Sequence, residues 1–168
     1  LGVAGNFRVK EAQEAITQLL STSPSGKKHT YRPTAPKTVS DNFFHKEDVD
    51  RVSIDVAYFL KGRETMTVKE RFTKNIANFI LGRGTRSRIY NRLRNELGIV
   101  YSAGSGISYR NGVSEFEMSI SVSPERAQEA QKELMDVFHK FLAEGATETE
   151  FTRARNFINM RTLMSYDS

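Results

Sequence analysis

YSAGSGISYRNGVSEFEMSISV, residues 101–122, decides the fold. Asn111-Gly112 sits between two alternating runs, and a two-residue hairpin needs positive φ at both turn positions, which Asn and Gly tolerate best. Pairing Arg110 with Val113 puts Ile107 opposite Phe116, Ala103 opposite Ile120 and Tyr101 opposite Val122. One face then holds Tyr101, Ala103, Ile107, Tyr109, Phe116, Met118, Ile120 and Val122. Ser108, Glu115, Glu117 and Ser119 take the other. Both halves agree on the inner face, so an antiparallel hairpin with one buried side is predicted.

Working outward, Ser123-Pro124 reads as an N-cap followed by Pro at the first helical position. The helix it opens buries Ala127, Ala130, Leu134, Val137, Phe138 and Phe141 and ends at Gly145. Thr147-Glu148-Thr149-Glu150 is a capping box opening a last helix with Phe151, Ala154, Ile158 and Leu163 on its apolar side. Upstream of the hairpin, Arg86 to Leu97 is a helix closed by Gly98, where a left-handed cap favours Gly. A second capping box, Thr67-Val68-Lys69-Glu70, starts a helix with Phe72, Ile76, Phe79 and Ile80 that stops at Gly82. A strand from Arg51 to Leu60 places Val52, Ile54, Val56 and Leu60 on one face. Residues 21–40 hold three of the four prolines (Pro24, Pro33, Pro36) among Ser, Thr, Lys and Gly, and read as a linker that proteases cut first. Before it, Val3-Ala4-Gly5 reads as the tail of a short strand, and Arg8 to Leu20 as a helix. The order is β-α, linker, then β-α-α-β-β-α-α: an α+β fold with helices packed on a largely antiparallel sheet. The domain division expected is 1–20, a linker at 21–48, and a main domain at 49–168.

Composition narrows the chemistry. The 168 residues carry 25 Lys plus Arg against 20 Asp plus Glu and no Cys. That excludes a disulfide framework and every thiolate metal or redox site. No apolar run reaches the roughly 18–20 residues of a membrane span. The three histidines, His29, His45 and His139, share no helix face with a second ligand, so they read as surface residues. No Ser lies in a G-x-S-x-G turn. Gly82-Arg83-Gly84 and Gly104-Ser105-Gly106 lack the strand-to-helix context of a nucleotide loop; a helix cap and a close sheet–helix approach explain them better. Arg83, Arg86, Arg88, Arg92 and Arg94, with Tyr90, Tyr101 and Tyr109 nearby, admit a nucleic-acid reading. The arginines do not share one helical face, and the hairpin tyrosines lie in its inner row, so no nucleic-acid partner is expected.

Ser87-Arg88-Ile89 followed by Leu93-Arg94-Asn95-Glu96-Leu97-Gly98-Ile99-Val100-Tyr101-Ser102 resembles the "S-R-L … L-R-E-x-x-G-L-x-Y-S" signature of the pitrilysin/insulinase-type zinc metallopeptidases, the inverzincins, a family that includes mitochondrial processing peptidase-like proteins. Gly145 to Arg155 is similar to the family's "G-x-T-x-x-E-L-x-x-A-K", and Val3-Ala4-Gly5-Asn6-Phe7 to its "V-x-G-D/N-F". The resemblance runs in order from about residue 1 to 160. It implies two related α+β domains across a closed cleft, the first carrying zinc on H-x-x-E-H and the second holding the peptide without metal. This chain then corresponds to the last strand and helix of the first domain, the linker, and a C-terminally incomplete second domain. No H-x-x-E-H occurs here, so zinc, the water it acidifies and the Glu base would come from a zinc-bearing domain or subunit. The implied activity is metalloendopeptidase action on a polypeptide substrate, with a non-catalytic scaffold subunit as the alternative; this chain alone is expected to be inactive. A cytoplasmic location is expected, and no membrane partner.

Arg94 and Tyr101 are the candidate site residues. Spacing alone makes them structural, Tyr101 ending the inner row of the hairpin and Arg94 pairing with a nearby acid such as Glu96 or with a residue on the last helices. The resemblance instead has Arg94 donate to peptide carbonyls. It makes Tyr101 a catalytic as well as a substrate-binding residue, its phenol hydrogen-bonding the carbonyl near the scissile bond as negative charge develops.

Overall fold

The computed structural model describes residues 3–24, 26, 50–110 and 112–164. The chain divides into two units, Leu1–Arg32 and Pro33–Ser168. In the first, α1 (Val9–Ser21) is a solvated helix with no buried residue. Residues 3–8 form no strand, which corrects the reading of Val3-Ala4-Gly5: extended chain becomes a strand only when a partner takes its amides. Most of the proline-rich tract, with His29 and His45, lies outside the described residues.

Among its described residues the second unit has three antiparallel strands, β1 (Val52–Lys61), β2 (Val100–Arg110) and β3 (Val113–Val122), in the order β1-β3-β2. The hairpin pairs Arg110 with Val113, Ile107 with Phe116 and Ala103 with Ile120, as its sequence requires. The same register holds to Ser102 opposite Ser121; beyond it the ladder shifts, with Val100 facing Val122, leaving Tyr101 as an extra residue in a β-bulge. Val100, not Tyr101, therefore ends the buried row, and the Tyr101 ring is 48% exposed. Tyr109 also leaves the core, at the hairpin end of the sheet, where its cover is the Lys74 ammonium 4.5 Å from the ring centroid.

One face of the sheet is covered by helices. α4 (Ala127–Glu144) follows a 3₁₀ turn at Pro124–Arg126; Ser123 makes no capping hydrogen bond, so Pro at the first position sets this start. α4 packs Ala130 and Leu134, both fully buried, against Met118, Ile120 and Val122. Phe138 stacks on Tyr58 at 5.1 Å. Each such aliphatic side chain contributes about 1.5–3 kcal/mol on leaving water.

α2 (Val68–Leu81) begins at the Thr67–Glu70 capping box and lies over β2. Its Asn78 carboxamide oxygen accepts from the Ser105 hydroxyl at 2.6 Å, and the Gly82 carbonyl accepts from the Ser105 amide at 3.0 Å. α5 (Glu148–Met164) starts at the second capping box, with Thr147 N–H donating to Glu150 at 2.8 Å and Glu150 N–H to the Thr147 hydroxyl. It packs on α2 through Phe157, whose ring lies 4.6 Å from that of Phe79. Ala154 of α5 is buried, while Phe151 and Leu163, predicted for the apolar side, are exposed. Helical periodicity alone did not distinguish the two stripes.

A candidate peptide-holding site at a bulge

Ser87 caps the segment that leads to the bulge, its hydroxyl accepting from the Tyr90 amide. One α-helical turn, α3 (Arg88–Tyr90), widens into a π-helical turn at Asn91–Glu96. There Leu97 N–H reaches the Arg92 carbonyl at 3.1 Å, and Ile99 N–H the Leu93 carbonyl at 3.0 Å. The extra residue in a π turn re-aims the side chains that follow it, and such turns concentrate at functional sites. Gly98 takes φ 62°, the left-handed conformation that ends the turn and sends the chain into β2.

Two of the five clustered arginines are committed to internal ion pairs. Arg88 grips Glu150 through two nitrogens at 2.7 Å each and donates to the Gly145 carbonyl at 2.9 Å. The Arg88 hydrogen bonds, with the Thr147 amide and hydroxyl, hold the Glu150 carboxyl at a pKa of about 2, and Arg88 is raised in turn. Arg92 reaches Glu133 on α4 at 3.0 Å and Glu96 at 3.1 Å. These ties fix the turn against α4 and α5, and they remove Arg88 and Arg92 from any free basic patch.

Arg94 differs. Its Nη1 donates to the Val100 carbonyl at 2.6 Å, while Glu96, the partner expected from spacing, is engaged by Arg92 and Asn91. A guanidinium has five N–H donors, and no other protein acceptor is bonded to Arg94 among the described residues. The Val100 carbonyl belongs to the peptide whose nitrogen is that of Tyr101, so the arginine clamps the backbone of the bulge. Arg51, just before β1, lies with Cζ 4.3 Å from the centroid of the Tyr101 ring. A cation over a phenol face contributes about 0.5–1 kcal/mol at an exposed site.

The structure thus brings Arg94 and Tyr101 to the same peptide unit. It adds Arg51, which the sequence reading missed, because its approach depends on β1 pairing with a strand seventy positions away (Val52 with Val122). Among the described residues no three His, Cys, Asp or Glu side chains stand together as metal ligands, and His139 is exposed on α4. The donor set here does not fit zinc. What the site offers is an exposed phenol, a clamped guanidinium with unused donors, and a second cation beside the ring: groups that grip carbonyl oxygens.

The sequence matches the Peptidase M16 inactive domain over residues 1–158. It is 24% identical over 167 residues to an uncharacterized zinc protease of Rickettsia felis and 23% identical to one of Rickettsia bellii, covering 99% of this chain. It spans only 39% of either relative. A protease from Helicobacter pylori superposes with a TM-score of 0.80 at 16% identity, over 98% of this chain and 40% of that one. A peptidase M16 inactive domain from Pseudomonas fluorescens does so with a TM-score of 0.62 at 22% identity, over 67% and 27%. The α+β reading and the family resemblance of the sequence agree with these likenesses, and the chain belongs to the inactive-domain family of the M16 peptidases.

Proposed function

We propose that this chain is the substrate-holding half of a zinc-dependent metalloendopeptidase whose metal is carried by another domain or subunit. The observation that carries the reading is the bulge at Tyr101. A one-residue insertion turns an aromatic side chain out of the buried row, and Arg94 is bonded to the same peptide. A core tyrosine needs neither. In this role the Arg94 guanidinium keeps the bulge rigid and offers its remaining N–H groups to carbonyls of an extended peptide. The Tyr101 hydroxyl donates to the carbonyl at which negative charge develops, and Arg51 keeps the ring in place. Because these contacts go to peptide backbone, the half reads conformation more than side-chain identity.

The test places both substitutions in protein joined to its zinc-bearing half. Tyr101→Phe should leave thermal unfolding unchanged and lower kcat/KM for a quenched-fluorescence peptide by roughly 10²–10³, the cost of one oxyanion donor. Arg94→Ala should weaken binding and turnover together, with a stability loss of about 1 kcal/mol from the Val100 hydrogen bond. Unchanged turnover in Tyr101→Phe, or a loss accounted for by unfolding, would make the chain a scaffold subunit of the same fold.

A further inference from the structure

Among the described residues β2 is an edge strand, and half of that edge carries no partner. In a hairpin with a two-residue connection, Arg110 and Val113 exchange both bonds, so alternate residues back along the strand point their amides and carbonyls outward. Ser105 falls in that outward set, and its amide is taken by the Gly82 carbonyl at 3.0 Å. Ile107 and Tyr109 follow in the same set. Among the described residues nothing bonds to their amides or carbonyls.

A groove of about 660 Å³ runs between this free edge and α2. Arg63, Arg71 and Arg83 line it with Phe72, Ile107 and Tyr109, and no carboxylate of the described residues does. None of the three arginines is in an ion pair among the described residues, whereas Arg88, Arg92 and Arg126 all are. Phe72 is 47% exposed within the groove, and the Arg63 guanidinium lies 5.6 Å from the Tyr109 ring centroid. Uncompensated like charges brought together on a fold tend to have a ligand of the opposite sign.

We propose that this groove docks an acidic, extended segment of a polypeptide substrate, added as a strand along Ile107–Tyr109. The inference rests on the substrate-holding reading and locates a second grip, several residues along β2 from Tyr101. The free edge selects peptide over nucleic acid. Its outward groups alternate donor and acceptor, which an extended peptide matches; phosphates only accept and would leave the Ile107 and Tyr109 carbonyls without donors. Carboxylates on alternate residues meet the arginines, and the intervening side chains point to the opposite face of the added strand.

The experiment uses the 168-residue chain and a labelled peptide of alternating glutamate and valine, read by fluorescence anisotropy. The glutamine counterpart should bind at least roughly tenfold more weakly, and the double variant Arg71→Ala/Arg83→Ala should lose a similar factor. Affinity should fall as salt is raised. Arg126→Ala, which removes a cation elsewhere on the surface, is the control and should bind as wild type. Unfolding temperatures guard against misfolding. Hydrogen exchange should show new protection at the amides of Ile107 and Tyr109 in the complex. Equal affinity for the glutamine peptide, or a tighter complex with a thymidine oligonucleotide of matched charge, would overturn the proposal. Protection appearing only at residues 100–102 would overturn the groove while leaving the substrate-holding reading intact.

Discussion

A methyl group at position 82 would have nowhere to go. A Cβ there would lie 2.2 Å from the Ser105 hydroxyl and 2.5 Å from its backbone nitrogen. The backbone at Gly82 is not left-handed, with φ −142°, so this glycine serves close approach between α2 and β2 and not helix termination by handedness. Gly82→Ala should therefore push the helix end off the strand, break the Ser105–Gly82 hydrogen bond, and cost about 2–4 kcal/mol. Gly106→Ala, at the residue that follows Ser105 in β2, meets nothing within 4 Å and should be neutral or slightly stabilising. Urea unfolding of both variants checks this, and comparable stability in the two would contradict it. The sequence shows a glycine at the end of a helical pattern in either case; only the distance to Ser105 separates a cap from a contact.

At the scale of elements, α5 is held at its start by one charged pair. The Arg88–Glu150 bridge joins it to α3 with side chains only 19% and 17% exposed. Glu150 is lowered from 4.5 to about 2, chiefly by the Arg88 hydrogen bonds and then the Thr147 amide. A carboxyl depressed in the folded state binds its proton more readily in the unfolded one. Its stabilisation is thus complete above pH 4.5 and is lost as pH falls toward 2. The loss should be on the order of 2–3 kcal/mol across that window. Glu70, also held at about 2 by the Thr67 amide and by Lys61, acts with the same sign. Glu150→Gln removes only its own share, so urea unfolding of wild type and variant at pH 6 and pH 3 should show a gap that narrows in acid. A constant gap would mean that Glu150 is not tied as the structure has it.

Both capping boxes that anchor α2 and α5 were legible in the sequence, because each is completed within four residues. The π turn was not. The stretch from Arg86 to Leu97 has ordinary helical spacing, and what widens it is the demand that Arg92 reach Glu133 while Ile99 and Val100 enter the core.

On the scale of the whole molecule, the distribution of metal donors sets an expectation for the isolated chain. It has no Cys, three His and no H-x-x-E-H, and no ligand cluster among the described residues. After dialysis it should retain no stoichiometric zinc and cleave no peptide, as metal analysis and a quenched-fluorescence assay would register. One tightly held zinc per chain would overturn this and move the metal chemistry into the chain itself.

By itself the sequence determined what is settled over short range. The Asn-Gly connection and its two alternating arms set the hairpin register as far as Ser102. The capping boxes placed the starts of α2 and α5, and the apolar stripe of α4 named its buried residues. The motif around Arg94 and Tyr101 pointed to the family. Tertiary structure decided the rest. Whether Tyr101 faces the core depends on a bulge that moves Val100 opposite Val122. Arg51 arrives over the ring only because β1 pairs with β3, and the arginines of the α2 groove meet the edge of β2 only when that helix lies along a strand about thirty residues away. The physical reason is common to all three. Periodicity and turn chemistry act between residues a few positions apart, whereas the side on which a phenol or a guanidinium emerges is set by which distant segments compete to fill the same core.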